Sequence, residues 1–74
     1  MELLTHHVLA AARALSVLSL ALETRDQFLA TRTRAELAAE LSAIADALAL
    51  VPPGERDAAQ RLADSIEVRA RAIA

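Results

Sequence analysis

The segment from Val8 to Leu22 constrains this chain more than any other part of it. Its fifteen residues include only three polar ones, Arg13, Ser16 and Ser19, and neither Gly nor Pro occurs before Pro52. Wound as an α-helix, such a segment is apolar around most of its circumference, the pattern of a helix buried on several sides. A chain of 74 residues has little else with which to bury it. Small domains bury a smaller share of their surface than large ones, so further copies of the same chain are the natural cover.

The rest of the composition points the same way. Nineteen residues are Ala and only twenty-two are larger apolar ones, a thin supply for an isolated core. Ala, Leu, Glu and Arg dominate, all strong helix formers, while one Gly, two Pro and seven scattered β-branched aliphatics leave little for strands. The expected class is all-α, a single helical domain over residues 1–74.

Two heptad seams run along the first helix, which the pattern places at about residues 2–30. One is Leu4, Val8, Ala11, Leu15, Leu18, Leu22 and Leu29, and the other is Leu3, His7, Ala10, Ala14, Val17, Ala21 and Phe28. Leu9 and Leu20 fall outside both. Beyond Leu22 the polar run Glu23–Gln27 leaves only Phe28 and Leu29 to turn inward. Thr33 followed by Glu36 reads as a capping box that starts a second helix at about residues 34–50. One continuous helix over residues 2–50 is the alternative. The second helix carries the stripe Leu37, Leu41, Ile44, Leu48 and Val51, with Glu36, Glu40 and Asp46 outward. Val51-Pro-Pro-Gly54 is the strongest stop in the chain. A third helix at about residues 55–73 presents a narrower stripe of Ala59, Leu62, Ala63, Ile66, Ala70 and Ile73. Its acidic start and basic end suit the helix dipole.

At these lengths a second helix of ~26 Å folds back over only part of a first helix of ~43 Å. The stretch from Leu3 to Arg13 then projects with its apolar residues poorly covered, which marks an interface. The expected interface is Leu4, Val8, Leu9, Ala11, Leu15, Leu18, Leu20 and Leu22. The expected function is structural: a long helix with a helical hairpin, assembling through helix one into a closed homo-oligomer bundle. Its expected partner is itself.

Few other activities find support. The net charge is −2 with both signs mixed along the chain, so there is no basic stripe for nucleic acid. Glu2 and Arg13 argue against a signal peptide. A fifteen-residue apolar run spans ~22 Å, short of a hydrocarbon core of ~30 Å, and Arg13 at its middle adds roughly 3 kcal/mol. A soluble, cytoplasmic chain is expected. No nucleophile set, phosphate loop or cysteine cluster can be assembled, so neither an enzyme, a cofactor nor a small-molecule substrate is expected. His6 and His7 are the only candidates for a metal or haem. Adjacent helix positions point about 100° apart, so one chain cannot chelate with both, although copies meeting around an axis could. A small adaptor binding another protein through helix one, or a His-based metal or haem bundle, are the alternatives.

The segments Arg34–Leu48, Val51–Gly54 and Glu55–Leu62 resemble computationally designed helical bundles in their capping, their Ala/Leu/Glu/Arg content and their terse Pro-Pro-Gly loop. The resemblance is one of style and covers residues 33–74 best. It implies a scaffold whose purpose is its own assembly. The absence of Lys, the His6-His7 pair and the stretch Glu23–Thr33 depart from it. A small Ala- and Arg-rich protein from a GC-rich bacterium fits the same composition.

Overall fold

The computed structural model describes residues 2–73. Three helices follow one another: α1 (Glu2–Glu23), α2 (Gln27–Ala49) and α3 (Arg56–Ile73), the last preceded by a 3-10 turn at Pro53–Glu55. The chain is all-α, as its composition requires. The first boundary differs from the sequence expectation: the break falls at Thr24–Asp26, with neither a helix running on to residue 30 nor one continuous over 2–50.

Hydrogen bonds explain the break. The Asp26 N–H donates to the Ala21 carbonyl at 2.9 Å and the Arg25 N–H to the Leu22 carbonyl at 3.3 Å. These are the paired closing bonds of a Schellman motif, whose residue after the cap adopts the left-handed conformation. Arg25 does so, at φ 57°, in a place that usually belongs to Gly. Asp26 then opens the next helix, its carboxylate accepting the Leu29 N–H at 3.0 Å. One residue thus closes α1 through its backbone and caps α2 through its side chain.

Thr33 is therefore not a cap. It lies inside α2, 1% exposed, and its hydroxyl donates to the Leu29 carbonyl at 2.7 Å. Glu36, the other half of the expected capping box, faces Arg32 at 3.5 Å. Asp26 wins for two reasons. Asp outranks Thr as an N-cap, and a break there leaves the polar run Glu23–Gln27 in water. Breaking at Thr33 would have withdrawn Ala30 and Thr33, both buried, from the packed face.

The earlier break changes the geometry of the whole chain. At 1.5 Å per residue α1 is ~33 Å long and α2 ~35 Å, so the two match as an antiparallel hairpin. Coverage extends to the first turn of α1: Leu4 is 1% exposed and Val8 7%. The expectation that α1 would project uncovered from Leu3 to Arg13 is corrected in that respect. Phe28, expected to face inward, is 79% exposed, because the restart of the helix at Gln27 turns it to the outside.

The second connection follows the expected stop. Val51 is buried, Arg56 reaches back to its carbonyl at 3.4 Å, and the Glu55 N–H donates to the Pro52 carbonyl at 3.0 Å. The chain then returns as α3, antiparallel to α2 and parallel to α1. The stripes of α2 and α3 both pack inward, with Leu37, Ile44, Ala59, Ala63 and Ile66 buried. Seven Ala line α1, α2 and α3 where they meet, among them Ala11, Ala21 and Ala59 at 0% exposure. Small side chains allow close helix approach but bury little area each. The result is a narrow rod, 43 × 17 × 14 Å across its Cα atoms. Its accessible surface is 5020 Å². A monomeric protein of this mass exposes about 4,400 Å².

Candidate interaction surface

The buried face of α1 uses most of one heptad seam. Of the eight residues expected at an oligomer interface, Leu4, Val8, Ala11, Leu15 and Leu18 lie in the core of the single chain, at 7% exposure or less. Their partners are α2 and α3. The other three are open to solvent: Leu9 at 54%, Leu20 at 56% and Leu22 at 39%. The second seam divides too, with Ala14 and Ala21 buried and Leu3 and Val17 exposed.

Among the described residues, five of the eight large exposed apolar side chains belong to α1: Leu3, Leu9, Val17, Leu20 and Leu22. The other three, Phe28, Leu50 and Val68, sit singly on other elements. Scattered exposed apolar residues are ordinary. Of these five, Leu9, Leu20 and Val17 lie on the outward side of α1, whereas Leu3 lies at its flank and Leu22 on the core seam near the helix end. The face of α1 opposite the core carries His6, Leu9, Arg13, Ser16, Leu20 and Glu23, all exposed. At 100° per residue these six lie within about 100° of arc. Ser16 is tied back to the Ala12 carbonyl at 3.2 Å, as expected of a Ser in a helix. Arg69 of α3 borders this face beside Ser16, and Glu36 and Glu40 of α2 line its other edge beside Arg13 and Val17.

In the sequence this seam is overshadowed by the two richer ones. The available signal was that Leu9 and Leu20 belonged to neither.

The His pair resolves into two roles. His6 points to solvent. His7 reaches across to α2, where its Nδ1 lies 2.7 Å from a carboxylate oxygen of Glu40. The two imidazoles meet edge to face, 5.4 Å between ring centroids. Glu40, expected on a solvated face with Glu36, is half-buried by this contact. Among the described residues no three His, Cys, Asp or Glu side chains come together as a metal-binding group.

α1 is long and apolar enough to cross a membrane by length and composition, and a third of its most apolar stretch is buried within the chain. The core helix of a soluble protein and a signal sequence near the N-terminus both pass the same test.

Fold and surface together define a small helical bundle. The chain matches no protein-family model, and no curated protein or solved structure is significantly similar to it.

Proposed function

We propose that this chain is a structural protein that associates with further copies of itself through the outward face of α1, without catalysis and without a bound cofactor. The observation that carries this reading is the exposure of Leu9 and Leu20, with Val17 beside them, on the side of α1 opposite the face that supplies the core. A core helix that also exposes Leu on its otherwise polar outer face satisfies one side within the chain and offers the other to a further chain. A soluble, cytoplasmic setting accompanies it. Leu4, Leu15 and Leu18 already have protein partners, and Arg13 at the middle of the helix would cost roughly 3 kcal/mol in hydrocarbon.

The test is a Leu9→Gln/Leu20→Gln variant compared with the parent chain by sedimentation equilibrium. The variant sediments as a monomer with unchanged helical circular dichroism, while the parent is heavier. Equal masses for the two chains would refute the reading.

A further inference from the structure

We infer that the second copy docks antiparallel along α1, with a two-fold axis passing between residues 14 and 15. The inference rests on the self-association proposed above and specifies its geometry. The outward residues His6, Leu9, Arg13, Ser16, Leu20 and Glu23 are separated by steps of three, four, three, four and three. That is the spacing of one continuous seam in a two-helix contact. The order of residue types along the seam reads nearly the same from either end: polar, Leu, polar, polar, Leu, polar.

Under an antiparallel two-fold, positions whose numbers sum to 29 stand opposite each other. Leu9 then meets Leu20 of the second copy, and Leu20 meets Leu9. Arg13, a donor, is level with Ser16, whose hydroxyl oxygen accepts. His6, which can donate through its ring, is level with Glu23. Each of these pairs occurs twice, as an isologous interface requires. Ala10 and Val17 flank the seam on the α2 side, and Ala12, Ser19 and Arg69 on the α3 side. Glu36 and Glu40 lie on the Arg13 edge of the seam. A two-fold axis lying across the paired helices keeps that edge on the same side in both copies. The two Arg13 side chains are therefore met by carboxylates from both chains. A parallel arrangement instead sets Arg13 on Arg13 and Glu23 on Glu23, and like charges held together are unfavourable.

Cysteine trapping tests the arrangement directly, because the chain has no Cys of its own. Leu9→Cys and Leu20→Cys are exposed substitutions that leave the core intact. In the antiparallel register the two copies of residue 9 are eleven residues apart along the axis, ~16 Å, and so are the two copies of residue 20. A disulfide needs Cα atoms about 4.4–6.8 Å apart. Upon oxidation, each single variant alone should stay uncrosslinked. A mixture of the two, and the Leu9→Cys/Leu20→Cys double variant, should yield covalent dimers. Light scattering on the unmodified chain and on the same reduced samples records whether association occurs at all. Crosslinking of either single variant with itself would overturn the antiparallel register and leave self-association standing. A multimeric mass with no crosslink in any sample would overturn the choice of face. A monomeric mass in every sample would overturn the underlying reading as well.

Discussion

Nδ1 of His7 lies 2.7 Å from the carboxylate of Glu40, a contact between residues 33 apart in sequence. It joins the second turn of α1 to the middle of α2 and fixes the register of the hairpin at the end far from its loop. Both side chains are largely covered, at 22% and 29% exposure, so the contact is less screened than a surface ion pair. A double-mutant cycle of His7→Ala and Glu40→Ala should give a coupling of about 1 kcal/mol in urea unfolding. Strict additivity of the two single losses would show that the pair contributes nothing.

Arg25 occupies a left-handed backbone position without the freedom of Gly. The conformation costs a residue with a Cβ roughly 1–2 kcal/mol. Arg25→Gly should therefore stabilise the chain by about 1 kcal/mol, less some gain in unfolded-state entropy, and raise Tm by several degrees. A lower Tm would mean that the Arg25 side chain contributes more than its backbone costs.

Asp26 serves both helices that meet at the first loop. Asp26→Ala keeps its backbone bond to Ala21 and loses the cap on the Leu29 N–H, at a cost of about 1 kcal/mol. Asp26→Asn should recover most of the loss, since Asn caps equally well. Thr33→Val, by contrast, keeps the volume of a buried side chain and removes only its bond to the Leu29 carbonyl. It should cost less than Asp26→Ala. The reverse ranking in thermal unfolding would return the start of α2 to Thr33.

The two sides of α1 should respond differently to substitution. Leu15 and Leu18, 1% and 2% exposed, are core residues, and Leu18→Ala should cost about 2–5 kcal/mol. Leu18→Glu should unfold the chain outright, because it buries a charge with no partner. Leu9→Ser should change unfolding of the single chain by less than about 0.5 kcal/mol while weakening association. A Leu9→Ser loss as large as that of Leu18→Ala, measured at concentrations where the chain is monomeric, would place Leu9 in the core.

Much of the fold was legible before any coordinates. The composition required helices, the Val51–Gly54 stop fell where expected, and the stripes of α2 and α3 were read with their buried residues in place. The first loop was not legible, for a physical reason. It contains neither Gly nor Pro, and its backbone turn is made by Arg25, a residue with no special liking for that conformation. Asp26 was a visible capping residue, but Thr33 with Glu36 three positions on offered a fuller pattern. Which one acted depended on burial of Ala30 and Thr33 against α1, a tertiary effect that local pattern does not contain. That misplaced boundary shortened α2 on paper and made the buried seam of α1 read as an interface. The outward seam of Leu9 and Leu20 became visible only once Leu4, Val8, Leu15 and Leu18 were known to be covered. His7 with Glu40 depended on the same register and could not have been paired from spacing alone.

The most direct measurement is the absolute mass of the unmodified chain by size-exclusion chromatography with light scattering, across a dilution series. The account predicts a discrete species at twice the 7.9 kDa chain mass, dissociating only at the lowest concentrations. A well-folded 7.9 kDa monomer at every concentration would contradict it, and the outward face of α1 would then be an ordinary solvent-exposed surface.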